Sequence, residues 1–323
     1  MINPEIKDLL YEGDEKIATR AAYGKKLSSM GKENEDIVVL DCDLSKSTMT
    51  KVFAGEFPER FFEMGIAESN MMSVAAGLST MGKIPFASTF GVFATKRAAD
   101  QVSSSIAYPE LNVKICATHT GITVGEDGAT HQAIEDVAIM RSIPNILVLS
   151  PADGTETAKV LEKVVEYKGP CYVRLCRGAA PIIFNDSYEF EIGKGVLVYK
   201  GDKATIVSAG FTTHIAIEAA KELEKEGIEV DLINMASIKP IDENILLKSA
   251  KKTSLVITVE DHSIIGGLGS AVCETLSEKL PTKVLRMGVK DSFGASGKPQ
   301  ELLEAYGFDK DSIVDTVKEN ILS

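Results

Sequence analysis

The sequence predicts an α/β protein made of two consecutive three-layer α/β/α domains, each with a mostly parallel sheet. Three observations carry this. Short β-branched runs alternate with longer helical patterns along most of the chain, as parallel strands joined by crossover helices require. The alternation breaks once, over residues 177–195, where Gly178, Pro181, Asn185, Asp186 and Gly193 gather with no helical period. The 323 residues, 44% of them hydrophobic, also exceed the roughly 250–300 that a single core accommodates. The boundary is therefore placed after residue 184, giving domains of residues 1–184 and 185–323.

In the first domain, residues 36–41 form a buried strand that ends in carboxylates. Residues 69–81 have the small and apolar content of a packed helix, stopped by Gly82. A strand at 84–88 leads to a helix over 93–107 that ends before Pro109. Strand 113–118, helix 131–141 before Pro144, and strand 146–149 follow. Asp153 is placed as N-cap of a helix over 153–168, and a strand at 171–175 closes the unit. In the second domain, strands at 204–208, 230–234, 254–260 and 283–287 alternate with helices at 213–227, 242–250 and 268–279. Two short helices close the chain, and no fixed-period repeat or low-complexity run appears.

Composition removes several function classes. Lys and Arg total 35 against 47 Asp and Glu, a net charge of −12 with no basic cluster, so nucleic acid is repelled. A few placed arginines still suffice to capture a phosphorylated small molecule. The longest apolar runs, 37–40 and 146–149, fall far short of the ~18 residues of a membrane span. Residues 1–15 are charged and lack an apolar signal core. Cys42, Cys116, Cys171, Cys176 and Cys273 form no CxxC pair and sit mostly in strand-like runs. They read as reduced, buried thiols of a cytoplasmic protein and argue against zinc.

Two segments carry chemistry. Glu68 follows the Gly65 turn and opens a helix that is apolar on nearly every side. A carboxylate there gains about 0.3–1 kcal/mol from the helix dipole, so it reads either as a helix-start glutamate or as a carboxyl whose apolar surroundings raise its pKa for proton sharing. The second segment runs from Thr118 to Glu135, with Gly121, Gly125 and Gly128 between a strand and a helix. Such a loop lies at the carboxyl end of a parallel sheet, where ligands bind. His119 and His131, two of the four histidines, flank Glu126 and Asp127 there. A metal site, a ligand loop and a purely structural loop all remain open on spacing alone.

His119 and His131 around Gly125-Glu126-Asp127-Gly128, with Gln132 behind them, resemble the histidine loop of the transketolase family. Gly65-Ile66-Ala67-Glu68, Thr89-Phe90-Gly91-Val92-Phe93 and Asp41-Cys42-Asp43-Leu44 are similar to three further segments of that family, in the same order. The resemblance spans essentially the whole chain from Ala18-Thr19-Arg20 onward. It implies thiamine diphosphate as cofactor, with Glu68 on the aminopyrimidine nitrogen, Phe90 and Phe93 against the ring, and Asp43 nearby. It implies that His131 stands close to the reacting carbons. It also implies that Arg20, Ser47, His119 and Arg177 hold a sugar phosphate while Asp127 reads an acceptor hydroxyl. Two positions depart from the family's pattern: Lys96 replaces a third aromatic, and Ala129 replaces a proline, leaving room for a variant sugar.

The family's Gly-Asp-Gly motif, with an asparagine some thirty residues on, holds the diphosphate through Mg²⁺ or Ca²⁺. The Asp-Gly pairs here, at 127–128 and 153–154, lack that context, so the chain carries no metal ligands of this kind. The resemblance therefore implies a partner: an N-terminal transketolase subunit with the diphosphate-binding domain, in an assembly of two of each chain about a twofold axis. The expected activity is transfer of a two-carbon ketol unit between sugar phosphates. The competing readings are a 1-deoxyxylulose-5-phosphate synthase, the beta subunit of a 2-oxo-acid dehydrogenase, and a non-catalytic paralogue that binds a sugar phosphate. Gly266-Gly267-Leu268-Gly269-Ser270 is a weak nucleotide-loop signal, and His262 reads as structural or interfacial.

Overall fold

The computed structural model describes residues 1–321. The first sheet has seven strands in the order Ser237–Lys239, Leu147–Leu149, Cys171–Arg174, Lys114–Thr118, Ile84–Phe90, Ile37–Asp41 and Phe61–Glu63. All its pairings are parallel except that of Ser237–Lys239. The second sheet orders Lys283–Val289, Leu255–Ser263, Thr205–Ser208 and Asp231–Asn234 in parallel, with Val196–Tyr199 antiparallel at the edge. Among the described residues no helix is long and apolar enough to cross a membrane.

The two-residue period of a strand explains the layers. Val38 and Leu40 pack with Met71, Met72 and Ala75 of the helix Glu68–Thr80, whereas Ile37 and Val39 pack with Tyr23 and Leu27 of the helix Thr19–Glu33. The second sheet divides likewise: Ile206 faces the helices Thr212–Lys225 and Lys310–Ile321, and Val207 faces Glu243–Thr253 and Leu268–Lys279. Val207 and Ile233 share one apolar cluster with Ile115 and Tyr172, so the core is continuous from one sheet to the other.

Register places the site. Asp41 lies level with Ser88, and Phe90 with Thr118, so three neighbouring strands end together. The segments that follow them, a helix in the case of Phe93, carry Asp43, Phe93 and His119.

Three of the expected elements are changed by their surroundings. The helix expected over 131–141 begins at Asp136, because residues 131–133 are held in the loop. His131 and Gln132 donate backbone N–H bonds to Gly128, and the Gln132 amide reaches the carbonyls of Ile122 and Ala295. The helix expected over 93–107 splits into Gly91–Lys96 and a π-helix, Gln101–Ala107, in which Tyr108 bonds back to Ser103 at 2.9 Å. The strand expected over 254–260 continues to Ser263, carrying Asp261 and His262 into buried positions.

The chain between the sheets is held by two carboxylates of one helix. Asp153 caps Gly154–Glu166 as expected, and its second oxygen accepts the N–H groups of Ile183 and Phe184. Glu156, fully buried, accepts from Tyr188 at 2.7 Å and from the Asn234 amide at 2.8 Å. Burial, reinforced by the charge of Asp153, pushes the Glu156 carboxyl up from 4.5 to about 7. The folded chain thus binds this proton more tightly than the unfolded chain, so the group's contribution makes stability fall as pH rises from 4.5 to about 7 and level off above. Glu156→Gln is expected to flatten that decline by about 2–3 kcal/mol, measured by urea unfolding at about pH 5 and about pH 8. An unchanged pH slope would contradict the assignment.

Candidate active site

Four rings gather at the ends of the strands Ile84–Phe90 and Lys114–Thr118. His119 is buried with its imidazole stacked on Phe90, centroids 3.9 Å apart at 23°. Phe93 stacks beside Phe90 at 5.7 Å, and His131 stands edge-on to Phe93 at 5.7 Å and to Phe90 at 6.3 Å. Leu44, next to Asp43, packs against the same cluster. Each histidine has Nδ1 engaged by its preceding threonine, Thr118 at 3.0 Å and Thr130 at 2.9 Å.

The loop after Ile37–Asp41 is shaped by Asp41 rather than by the exposed Asp43. The buried Asp41 carboxylate accepts the Leu44 N–H at 2.7 Å and the hydroxyls of Thr48 and Thr50 at 2.7 and 2.9 Å. Burial lifts its pKa to about 6 against the pull of those bonds. Asp43 adopts a left-handed backbone at φ 58°, and its N–H bonds to Glu63 at 2.6 Å.

Arg20, in the first turn of Thr19–Glu33, donates to the Ser47 carbonyl at 2.8 Å and the Arg177 carbonyl at 3.2 Å. Arg177 in turn donates to the Val124 carbonyl and lies 3.5 Å from Glu126 and 3.9 Å from Asp127. Arg20, Ser47, Arg177 and Asp127 thus form one chain of contacts around the histidine loop. The two arginines act on His119: burial first, then Arg20, Arg177 and His131, lower its pKa to about 3.

Glu68 heads its helix and is 4% exposed, but its surroundings are not simply apolar. Arg97 pairs with its carboxylate at 2.9 Å, and the same guanidinium lies over the Phe93 ring, 4.0 Å from the centroid. Arg97 escaped the sequence reading, although its spacing of four from Phe93 on a helix start is a usable signal. Arg97 is the C-cap of that helix and keeps its geometry, its N–H donating to the Phe93 carbonyl at 3.2 Å, so its side chain lies on the Phe93 face. Lys96 is exposed and paired with Glu135 at 3.0 Å, so the position of the missing aromatic is spent on an ion pair. The structure brings Glu68, Phe90, Phe93, His119 and His131 to one face, with the arginines beside them.

A second missed residue is Asp261, whose carboxylate caps the histidine loop from the other domain. The glycine cluster at 266–270 forms no open cradle either: Glu260 accepts the N–H groups of Leu268 and Gly269 at 2.7 and 2.9 Å. An internal carboxylate already fills the helix N-terminus that a phosphate would use.

Residues 15–182 match the pyrimidine-binding domain of transketolase, and residues 193–313 match the transketolase C-terminal domain. A protein of Methanocaldococcus jannaschii described as a transketolase C-terminal section is 52% identical over 305 residues, 94% of this chain and 96% of its own. A 6-deoxy-6-sulfo-D-fructose transketolase subunit of Clostridium sp. is 41% identical over 300 residues, 93% of each chain. A solved split-gene transketolase, described as an inactive β4 tetramer, superposes with a TM-score of 0.87 at 53% identity, over 95% of this chain and 99% of that one.

With its pKa lowered to about 3, His119 is expected to remain neutral at any working pH. In ¹⁵N-histidine spectra its ring signals should stay constant between about pH 5 and about pH 8, where an unperturbed imidazole titrates. A titration midpoint near about 6.5 would show that the ring is not buried between the arginines.

Proposed function

The chain belongs to the transketolase family, and from that premise we propose that it is the C-terminal subunit of a split transketolase. With a partner chain carrying the diphosphate-binding domain, it moves a two-carbon ketol unit from a ketose phosphate to an aldose phosphate. The observation that carries this is the Glu68 contact: a buried carboxylate whose partner is a flat, nitrogen-rich cation lying on Phe93. An aminopyrimidine is also flat and nitrogen-rich, so these residues fit the ring end of thiamine diphosphate. The diphosphate and its Mg²⁺ or Ca²⁺ are left to the partner, since the metal-binding motif is missing from this sequence. A solved relative of this length described as an inactive tetramer supports that division of labour.

When bound, thiamine diphosphate supplies the electron sink for a carbanion. Glu68, released from Arg97, takes the ring nitrogen at its carboxylate and holds the proton needed for acid–base exchange. Phe90 and Phe93 give the ring an apolar bed and keep water from it, and Asp43 borders that side through its neighbour Leu44. His131, with Nδ1 engaged, offers Nε2 for proton exchange at the sugar. Arg20, Arg177, Ser47 and neutral His119 take the sugar's terminal phosphate, and Asp127 accepts from a hydroxyl of the acceptor. Two copies of each subunit assemble about a twofold axis. The free thiols, four of them buried, suit a reducing cytoplasm.

A second reading differs only in the anion. The Clostridium relative is named for a sulfo-sugar, and a sulfonate is also a tetrahedral oxyanion that guanidinium groups bind. Assays with phosphate and sulfonate donors side by side separate the two. The synthase and dehydrogenase readings are not favoured, since the relatives above are transketolases.

The deciding experiment mixes both chains with thiamine diphosphate and Mg²⁺ and follows ketol transfer. Glu68→Ala is expected to lower kcat by about 100-fold or more. Undiminished turnover, or full activity of this chain alone, would refute the proposal. Arg97→Ala removes a half-exposed competitor for Glu68 and Phe93, so cofactor Kd in the complex is expected to tighten about two- to fivefold. Weaker binding would make Arg97 a cofactor ligand instead.

A further inference from the structure

We propose that Asp261, a residue of the second sheet, is a positioning residue that sets the conformation of His119 in the first domain. The inference rests on the reading of His119 as a contact to the sugar's terminal anion, but its geometry stands by itself. The strand Leu255–Ser263 extends far enough to bring Asp261, 2% exposed, under the histidine loop. One carboxylate oxygen accepts the Ile122 N–H at 2.7 Å; the other accepts the Thr123 N–H at 3.3 Å and the Thr123 hydroxyl. Arg174 fixes the backbone of the clasp, donating to the Asp261 carbonyl at 2.8 Å and to the Ala133 carbonyl at 3.3 Å.

What the clasp holds is an unfavourable piece of backbone. His119 sits at φ 55° and Gly121 at φ 77°, two residues of positive φ separated by one. A residue with a side chain keeps that conformation only where its surroundings impose it. Gly121 admits no alternative residue, since a Cβ there would lie 2.1 Å from a carboxylate oxygen of Asp261. On the near side, Thr120 donates its hydroxyl to the Leu175 carbonyl at 3.0 Å, and Gly121 its N–H to Ala133 at 2.8 Å. On the far side, Asp261 ties the N–H groups of Ile122 and Thr123, while the Ile122 carbonyl accepts from the Gln132 amide at 3.1 Å. With both sides tied, His119 is forced to lay its ring on Phe90 at 3.9 Å, beside Arg20 and Arg177. Loosening the far side lets His119 relax toward negative φ, which swings the imidazole off Phe90.

Asp261→Asn tests this, because its amide keeps the shape but offers a donor where Thr123 also donates. In the ¹⁵N-histidine-labelled chain, the His119 ring protons should carry an upfield shift from the Phe90 face, assigned by their loss in His119→Asn. Asp261→Asn should remove most of that shift while His214, beside Phe211 in the second domain, keeps its own. Thr123→Val, which deletes one bond at constant size, should move His119 in the same direction by less. In the reconstituted enzyme, sugar-phosphate KM should rise about tenfold with cofactor Kd and kcat nearly unchanged. His119 signals unmoved in both variants would overturn the proposal. Signals that move while KM stays constant would uphold the clasp and overturn the reading of His119 as a substrate contact.

Discussion

Arg174 is 6% exposed at the end of a central strand, a place where an unpaired charge costs several kcal/mol. It is paired there with Asp136 at 2.8 Å, and the Tyr172 hydroxyl bonds to the same carboxylate oxygen at 2.7 Å. Burial alone would lower the guanidinium's hold on its proton; Asp136 and then Asp261 outweigh it and raise that hold. Losing one partner of such a pair costs about 3–5 kcal/mol, because the other charge is then stranded. The Arg174 Nη2 donates to the carbonyls of Ala133 and Asp261. One cation therefore fixes a strand end, the turn before a helix, and the edge of the other domain. The histidine loop hangs from these three points.

The second domain accordingly contributes to the site through the backbone of the histidine loop. Its strand Leu255–Ser263 delivers three consecutive polar residues to the interface. Glu260 neutralises the N-terminus of Leu268–Lys279, and Asp261 caps the histidine loop. His262 is neutral: burial lowers its pKa to about 4 despite Asp136 nearby. Its Nδ1–H then donates to the Ser263 carbonyl at 2.6 Å, and Nε2 accepts the Ala138 N–H at 3.4 Å. The approaches of His262 to Asp136 at 3.8 Å and Glu260 at 3.6 Å are therefore polar contacts and not ion pairs. Ser263 extends the seam by donating its N–H to the Ile134 carbonyl at 2.8 Å.

At the ring cluster the electrostatics are unevenly spread. Arg20 and Arg177 bring two cations to a buried imidazole, and Arg177 has Glu126 and Asp127 of the loop at 3.5 and 3.9 Å. An arriving anion would meet guanidinium groups already held in place by carbonyls of Ser47, Arg177 and Val124. Holding donors in place beforehand reduces the ordering that binding requires.

Much of this was legible in the sequence. Alternating strands and helices, the Asp153 cap and the glycine-rich loop are local patterns, set by side-chain period and turn chemistry within a few residues. The order of motifs pointed to Glu68, the phenylalanines, both histidines and the arginines. Arg97 over Phe93, the seam of Arg174 with Asp136 and Asp261, and the late start of the helix at Asp136 were not legible. Each depends on which residues meet across the fold: Arg174 and Asp261 are 87 positions apart, and Ile122 and Asp261 are 139 apart. Periodicity tells a residue which face it occupies but not what will stand opposite. The sequence by itself determined the elements and the chemical types at the site. The tertiary structure decided how a buried charge is satisfied, and through that how His119 is held.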